Sequence, residues 1–534
     1  MKRRISSTLM ALVLCLTLLP ATAYADGGTA VYVSSSGNDG TGDGSADKPF
    51  ATLAKAVTEA EDGSTIYVMS TLTMTKCARY YDKDLTITSL DPNNPVTISR
   101  GTEFDPQSDH ARSWYNPAMI EVQTHTGGEG AGLTLTNIIF DDDGKKEGTV
   151  FAQAVSDGSV GATSNDNLVY VQDAIIASNA TVPTTITLGD GAVLRNFGGM
   201  SAVRVTEKAK LVMENGSKIE DTTVTDRVKG PSGSVGPAGA IWVQGASITM
   251  EKGSEISNII GRAVYVDGGE VTVGGTISNI TGTTNMWQGE DGTAIHLRGS
   301  AKATLNGKIS DCTGGVLVFV DKAVFEMATG SFLGNSDAAG IKTNEDPNWS
   351  LVNKDDYGTD RNTITIHGEI SGIKGIKNNK TPIQFKFGTL LIGADSNIHH
   401  NSVFYGTLYI QRDAIVDIYG KINNNDASSR GGGVATAGHG EVVINMYEGA
   451  EVKGNTAVNT GGGIMISSNT SFTMYGGEIS GNVSQTVGGG IYQYKNNSKV
   501  ELQGGTIRDN TMNATDVKDS STGTENDMMP GSKV

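Results

Sequence analysis

The sequence is poor in cysteine, proline and aromatic residues: its 534 residues include 3 Cys, 12 Pro and 4 Trp, and aromatic residues make up 6%. So few cysteines exclude a fold held together by a disulfide framework, and we expect buried thiols at Cys77 and Cys312. Positive charge is also scarce, because 41 Lys and Arg face 58 Asp and Glu, for a net charge of −17. This imbalance argues against a nucleic-acid partner.

One apolar run stands out, close to the N-terminus. Three basic residues at positions 2–4 precede an apolar run at 5–19, and Ala-Tyr-Ala follows at 23–25. This order is typical of a cleaved secretory signal, and no other stretch approaches the roughly 20 apolar residues of a membrane helix. We therefore expect a secreted protein, extracellular or at the cell surface, without membrane insertion.

Glycine, in contrast, is abundant, with 70 residues, and part of it is arranged in a repeat. Gly-Gly-Gly strings begin at Gly431, Gly461 and Gly488, and each is followed by Val or Ile. Matching strings follow the second and third of these and begin at Met474 and Leu502. The spacing between successive Gly-Gly-Gly strings indicates a solenoid or a related repeat architecture.

Each repeat contains three short segments in which apolar and polar residues alternate, for example 240–244, 246–250 and 256–258. Such alternation predicts strands with one face in a core, and a unit this small buries that face only by stacking on its neighbours. We therefore predict an all-β protein, a right-handed single-stranded parallel β-helix with three strands per turn. A propeller blade needs four strands and a sandwich lacks the repeat, so neither fits.

The pattern divides the chain into four segments. Residues 1–25 are the signal, 26–167 an N-terminal cap with irregular turns, 168–510 about twelve regular turns, and 511–534 a polar tail expected to be disordered. Within the second segment, residues 49–60 carry the apolar stripe of an amphipathic helix, which we expect to cap the first turn.

Asparagine recurs at a fixed place after the third strand. The positions are Asn335, Asn401, Asn425, Asn455, Asn482 and Asn510. Identical amides in successive turns can bond to one another, so this recurrence predicts an asparagine ladder.

Two sets of motifs resemble known families. Residues 32–39, Gly44 and residues 48–57 resemble the opening of secreted right-handed β-helix proteins of the pectate-lyase-like superfamily. The Gly-Gly-Gly-Ile and apolar-x-x-Asn strings resemble repeats of polymorphic outer-membrane adhesins. Together the resemblances cover nearly all of residues 30–510 and imply an extracellular role at a surface or on polysaccharide. Because that superfamily contains lyases, hydrolases, epimerases and non-catalytic adhesins, the fold leaves the function open.

Outward positions of the first strands form one predicted column on the surface. Its expected members are Tyr170, Arg204, Trp242, Tyr265, His296, Leu317, Lys342, Gln384, Tyr409, Ala435, Met465 and Tyr492. Long insertions at 221–239, 281–293, 344–362 and 372–382 border the same face. Loops along one edge of a repeat array commonly frame a binding surface.

The middle of this face predicts a glycan-binding groove. Its candidate residues are Arg204, Trp242, Tyr265, Asp267 and Tyr409. Aromatic rings pack against sugars, while polar groups bind hydroxyls and carboxylates. The alternative interpretation is that aromatic and charged residues simply suit the solvated face of a sheet.

A catalytic alternative uses the same face. β-Elimination of a uronic-acid polysaccharide needs a base and a stabilising cation, and His296 or Tyr265 could supply the first while Arg298 or Lys342 supplied the second. Hydrolysis needs two carboxylates, of which the central columns clearly offer only Asp267. The sequence therefore favours an adhesin-like protein that binds polysaccharide or host glycan over a polysaccharide lyase or glycoside hydrolase, and a structural stalk is the third possibility.

No cofactor is expected. Asn38, Asp39, Asp43 and Asp47 place oxygen ligands in a Gly-rich loop that could bind calcium, but the spacing and final glutamate of an EF-hand loop are missing. The alternative is a solvated turn. We expect a monomer with a glycan as its partner.

Overall fold

The computed structural model describes residues 28–105, 118–124, 128–141, 167–173, 184–199, 201–224, 239–282, 293–343, 361–375, 381–438, 440–494, 497–512 and 526–527. The predicted signal and most of the predicted tail lie outside these residues. The regular secondary structure of the described part is β-strand, apart from one helix, Leu53–Glu59. The prediction of an all-β fold is therefore confirmed. No helix within the described part is long and apolar enough to cross a membrane.

Nearly every strand pairs in parallel with a strand one repeat later in the chain, and this pairing builds long ladders. Strands of the first ladder are Ala78–Tyr81, Ala118–Gln123, Asn167–Asp173, Val203–Glu207, Ile241–Met250, Val264–Val273, Thr293–Arg298, Thr313–Asp321, Phe332–Thr343, Ile383–Phe385, Leu408–Ile410, Val434–Thr436, Ile464–Ile466 and Ile491–Gln493. Asn526–Asp527 adds an antiparallel pair at the last of them.

The second ladder follows the first within each repeat. Its strands are Ala30–Val33, Ser64–Val68, Asp84–Ser89, Gly132–Thr136, Thr185–Leu188, Lys210–Met213, Lys302–Leu305, Val324–Met327, Asn362–Ile366, Gly388–Ile392, Ala414–Ile418, Val442–Met446, Thr470–Met474 and Lys499–Leu502. The long strands Ile241–Met250 and Val264–Val273 run from the first ladder into the second.

A third ladder completes each repeat. Its strands are Leu72–Lys76, Val96–Asp105, Ile138–Asp141, Ala192–Arg195, Lys218–Glu220, Glu255–Ile260, Thr276–Thr281, Lys308–Ser310, the start of Phe332–Thr343, Glu369–Ile373, Asn397–His399, Lys421–Asn423, Glu451–Lys453, Glu478–Ser480 and Thr506–Arg508. Short strands follow it at Gly198–Gly199, Thr223–Val224, Ser402–Tyr405, Asp426–Arg430, Thr456–Ala457, Val483–Ser484 and Thr511–Met512.

One core runs through the stack because the inward positions of successive strands carry the same kind of side chain. Val243, Val266 and Leu297 lie on neighbouring rungs of the first ladder, and all three are fully buried. Burial of such side chains contributes about 25 cal/mol per Å² of apolar surface, so each turn is stabilised by contact with the next. Cys77 and Cys312 are buried thiols, as expected.

The helix Leu53–Glu59 lies inside the predicted span 49–60. Phe50, before it, is extended and bridges to Val33, and Thr52 caps the helix by accepting a hydrogen bond from the backbone N–H of Lys55 at 3.1 Å. Leu53, Ala56 and Val57 are buried in the same core as the first strands. The extended Phe50 explains why the helix begins later than its apolar pattern.

The predicted asparagine ladder is present from Asn401 onward. The side-chain amides of Asn401, Asn425, Asn455 and Asn482 each donate to the Oδ1 atom of the next asparagine, at 2.9 to 3.0 Å. Each amide also donates to a backbone carbonyl of the preceding turn. All of these side chains are buried, so the ladder satisfies polar groups inside the protein.

Asn335 does not belong to the ladder, and this part of the prediction was wrong. Its φ is 48°, in the left-handed region, and its side chain is exposed. Ser336 takes the interior place in that turn, where its Oγ accepts from the backbone N–H of Cys312 at 3.0 Å. The apolar anchor of this strand is Leu333 rather than Phe332, so the pattern was offset by one residue.

Candidate functional site

The register of the first ladder brings the predicted surface residues into one column. Arg204, Trp242, Tyr265, His296, Phe319, Lys342, Gln384 and Tyr409 occupy successive rungs. Phe319 stands where Leu317 was predicted, so that assignment was wrong. The pairing is irregular between Thr313 and Val316, where Gly314 and Gly315 have φ of 76° and 30° and displace the strand along its own direction.

The centre of the column is buried rather than exposed. Trp242 is 9% exposed, and Tyr265, His296 and Phe319 are 1% exposed. The His296 ring lies between the other two rings, with centroids 5.0 Å from Tyr265 and 4.7 Å from Phe319. The guanidinium of Arg204 lies 3.9 Å from the centre of the Trp242 ring, in a cation–π contact. The rings that were expected to form an open aromatic surface are therefore buried and packed against one another.

His296 is held in its neutral form. Burial lowers the pKa of its imidazole well below the ordinary value, and the positive charges of Arg262 and Arg298 lower it further. Neither ring nitrogen has a hydrogen-bond partner among the described residues. A general base must reach the proton that it removes, so this burial argues against the catalytic role considered for His296. The assignment of His296, Arg298 and Lys342 to β-elimination stays an untested prediction.

A second outward column lies two residues further along the same strands. It contains Gln244, Asp267, Arg298 and Asp321 on successive rungs. Nε of Arg298 lies 4.0 Å from Oδ2 of Asp321, and 35% of the arginine side chain is exposed. Burial raises the pKa of Tyr265, and nearby Arg298 opposes that shift. The column therefore presents an accessible cation flanked by two carboxylates.

Asp321 was missed by sequence reasoning because of the same register error that misplaced Leu317. The strand offers several possible alignments two residues apart, all of which keep the same side chains outward. The glycines at 314 and 315 were the available signal, since glycine inside a strand often marks an irregularity.

A stack of tyrosines on the second-ladder side was also missed. Tyr419, Tyr447 and Tyr475 each follow the last residue of a second-ladder strand in consecutive turns. Their ring centroids are 4.3 and 5.3 Å apart, and the rings are within 14° of parallel. Burial and the carboxylate of Asp417 raise the pKa of Tyr447 to about 12. The recurrence of Tyr at this position was the signal in the sequence.

The loop considered for calcium anchors the helix. The carboxylate of Asp39 accepts hydrogen bonds from the backbone N–H groups of Ala51 and Thr52, at 2.7 and 3.0 Å, and from the Thr52 hydroxyl at 2.7 Å. Asn38 accepts two backbone hydrogen bonds from within its own loop. In the described part of the chain, no three His, Cys, Asp or Glu residues form a group that could hold a metal ion. Calcium binding stays an untested possibility.

Comparison with known proteins returned distant structural likeness only. No protein-family model matches the chain, and no curated protein matches it. The GH136 lacto-N-biosidase from Eubacterium ramulus is 10% identical, with 91% of this chain and 67% of that chain covered and a TM-score of 0.35. The catalytic domain of a GH87 alpha-1,3-glucanase in complex with nigerose is 11% identical, with 93% and 71% covered and a TM-score of 0.25.

A structure named rhamnogalacturonan lyase is 12% identical, with 82% of this chain and 83% of that chain covered and a TM-score of 0.20. All three names are those of enzymes that act on carbohydrates. At such low identities and TM-scores, no residue role is transferred from these structures to this chain.

Proposed function

We propose that this chain is an extracellular right-handed parallel β-helix that binds a polysaccharide or host glycan, as an adhesin does. Parallel pairing of each strand with one a repeat later supports the β-helix, and connections between parallel strands are almost always right-handed. The signal pattern at residues 1–25 supports secretion. The helix Leu53–Glu59 acts as the N-terminal cap, because its buried face covers apolar surface at the start of the stack.

The binding surface that we propose is the accessible part of the two first-ladder columns. This first-ladder surface comprises Gln244, Asp267, Arg298, Lys342, Gln384 and Tyr409, all exposed or half-buried. Arg298 and Lys342 offer charged donors for sugar hydroxyls and carboxylates, and the tyrosine offers a ring. The buried rings of Trp242, Tyr265 and Phe319 beneath the surface hold its strands rigid, which lowers the entropic cost of binding.

The observation that carries the proposal is Arg298. Its side chain is partly exposed, yet its Nε lies 4.0 Å from Oδ2 of Asp321 on the next rung. A guanidinium held in this way is preorganised for charge-assisted hydrogen bonds. Since His296, two residues earlier on the same strand, is buried, the same surface supports binding better than it supports proton abstraction.

Glycoside hydrolysis is the second candidate function, because Asp267 and Asp321 lie two rungs apart. Two rungs of a parallel sheet span about 9.6 Å between backbones, just above the separation of about 6.5 to 9.5 Å between the carboxyl groups of inverting glycosidases. Arg298 lies on the rung between them. If this candidate were correct, Asp267→Asn and Asp321→Asn would each abolish release of reducing ends.

The test combines binding and turnover on one panel of acidic and neutral polysaccharides. Mature protein is assayed for retention on immobilised glycans, for new reducing ends and for absorbance of unsaturated products. We expect retention without product, and at least a tenfold weaker affinity in an Arg298→Ala, Lys342→Ala double variant. Lys302→Ala, an exposed lysine of the second ladder, is the matched control and is expected to bind normally.

Product from any glycan would replace the proposal with an enzymatic function. Neither product nor retention would leave the stalk as the better interpretation. Equal loss in the control variant would show that the double variant acts through general charge and not through this surface.

A further inference from the structure

The N-terminal turns carry an open groove on the outward face of the second ladder, away from the first-ladder surface. Its volume is about 800 Å³, within the range of about 300 to 1,000 Å³ that is usual for ligand sites. We call it the threonine groove, because its walls include Thr65, Thr86, Thr134 and Thr187, together with Tyr67 and Asp84.

The strand register places the four threonines in one line. Thr65 pairs with Thr86, Thr86 with Thr134, and Thr134 with Thr187. Rungs of a parallel sheet are about 4.8 Å apart, so the groove offers a hydroxyl at each of four regular steps. Threonine is β-branched and stiff at χ1, so these hydroxyls lose little freedom when they bind a ligand.

These hydroxyls have capacity to bind a ligand. Within the described residues, none of the four Oγ1 atoms makes a hydrogen bond to another protein group, and all four side chains are half-buried. A short distance along the chain, the hydroxyls of Thr124 and Thr184 bond to each other at 2.7 Å. Each threonine of the groove thus keeps one donor and two acceptor positions for water or ligand.

The charged residues that line the groove indicate which ligand charge it favours. Asp62 and Asp84 are the ionisable residues in its lining, and no lysine or arginine is among the lining residues. The neighbouring Lys83 donates instead to the backbone carbonyl of Ala60, at 2.6 Å. Carboxylates without a cation repel an anionic chain, but they accept hydrogen bonds from sugar hydroxyls.

One wall of the groove is aromatic, and a glycine lies in its lining. Tyr67 lines the groove and stacks with Tyr32, with ring centroids 5.4 Å apart and planes 23° apart, so Tyr32 supports the ring at the groove wall. Gly132 lies in the groove, and a Cβ atom there would be 2.5 Å from Oδ1 of Asp84. The glycine therefore lets the Asp84 carboxylate lie close to this strand, where a larger side chain would displace it.

We propose that the threonine groove binds a neutral polysaccharide chain that lies along the stack of turns. Its hydroxyls bond to the threonine column and to Asp84, and a sugar ring packs at Tyr67. Regularly spaced hydroxyls suit a ligand that is itself a periodic polymer, and the absence of lining cations disfavours an acidic one. The groove extends the proposed glycan binding to a second surface and does not require the first-ladder surface to be correct.

The test removes hydroxyls without changing side-chain shape. Thr86→Val with Thr134→Val keeps a β-branched side chain on each strand and deletes two hydrogen-bonding groups. Binding of soluble β-glucan, α-glucan, mannan and galactan, with polygalacturonate as the acidic probe, is measured by calorimetry. We expect the unmodified protein to bind at least one neutral polymer and the double variant to bind it at least tenfold more weakly.

Two matched controls locate the effect. Thr272→Val with Thr304→Val changes the same outward column further along the stack and should leave binding intact. Lys302→Ala, the exposed second-ladder lysine outside both proposed surfaces, should also leave neutral-polymer binding intact. Full affinity in the groove variant, equal loss in the Thr272/Thr304 control, or binding of the acidic probe alone would overturn the proposal.

Footprinting tests the same site if the valine variant does not fold. Hydroxyl-radical oxidation of Tyr32 and Tyr67 in the unmodified protein should fall when the neutral polymer is bound, while oxidation of the distant Tyr419 and Tyr475 should not change. Protection of the second pair instead of the first would assign binding to the tyrosine stack and overturn the groove proposal.

Discussion

The central turns and the C-terminal turns fill the same interior corner, after the third strand, in two different ways. In the central turns the corner holds Ile259, Ile280 and then Cys312, whereas the C-terminal turns hold the asparagine ladder that begins at Asn401. Apolar side chains satisfy this corner without any directional bond, but each asparagine needs an identical neighbour above and below. The asparagine ladder is therefore cooperative along the stack, whereas the apolar packing of the corner tolerates single changes of side-chain shape.

The outward faces of the two regions differ as well. The central turns bury an aromatic and cationic cluster around His296, while the C-terminal turns expose Tyr475 by 48% and Tyr494 by 43%. One backbone repeat thus supports a packed outer layer in one region and open rings in the other. The difference lies in the outward side chains, because the inward positions in both regions remain mainly apolar.

The largest loss of folding stability is expected when an asparagine is placed in the apolar corner of the central turns. Ile280→Asn places an amide between Ile259 and Cys312, where it loses apolar burial and leaves polar atoms without partners, at a cost of about 3 to 6 kcal/mol. Ile373→Asn is the matched control, because its backbone N–H already donates to Oδ1 of Asn401 at 2.9 Å and the new amide extends the ladder. Urea unfolding should show the larger loss for Ile280→Asn; equal losses would show that the neighbouring amide does not matter.

A smaller loss is expected when the ladder itself is broken. Asn455→Ala removes bonds from its side chain to Asn482 and to the carbonyl of Ile422, and it leaves Asn425 without its acceptor. The expected cost is about 3 kcal/mol, with faster hydrogen exchange confined to the C-terminal turns. Asn445→Ala, which loses one outer-face bond to Asp417, should cost about 1 kcal/mol. Exchange that accelerates equally in the central turns would contradict this separation of the two regions.

Acid should destabilise the central turns through His296. Its pKa is lowered in the folded protein, so the unfolded chain binds a proton that the folded chain does not, and stability falls as the pH drops below about 6.5. The loss from this group is at most about 1.4 kcal/mol per pH unit. His296→Phe keeps a ring between Tyr265 and Phe319 and should flatten the decline of Tm between pH 7 and 5, whereas His367→Phe should not. An unchanged slope in His296→Phe would show that the ring is not buried in solution.

The smallest change concerns the rate of thiol labelling. Burial raises the pKa of Cys312 to about 12, so the reactive thiolate is scarce at pH 8 and native protein should resist alkylation. Ile280→Asn should accelerate labelling of Cys312 on the next rung, while Asn455→Ala should leave its rate unchanged. Mass spectrometry of the Cys312 peptide reports both, and rapid labelling in unmodified protein would show that this corner is open.

Much of the architecture could be predicted, and the errors in the outward columns have one cause. The inward and outward parity of Arg204, Trp242, Tyr265 and His296 followed from strict alternation, because a strand has a side-chain period of two. Leu317 was exchanged for Phe319 because a shift of two residues preserves that parity. Alternation cannot choose between such alignments, and Asp321 escaped notice for the same reason.

The candidate site was less predictable than the fold. Outward position was taken to mean exposure, but His296 is 1% exposed because the Tyr265 and Phe319 rings on adjacent rungs pack against it. The threonine groove is the opposite case. In the sequence its residues are typical of solvated strands, and only the structure shows that they form a line of hydroxyls within one concave surface.

The sequence by itself determined the repeat, the strand parity and the asparagine ladder from Asn401 onward, because each depends on spacing along the chain. Only the tertiary structure decided which rung each side chain occupies, which outward rings are buried and where the outer face is concave. Those properties depend on how neighbouring turns are aligned and on what packs over them, and neither is encoded in the local period of a strand.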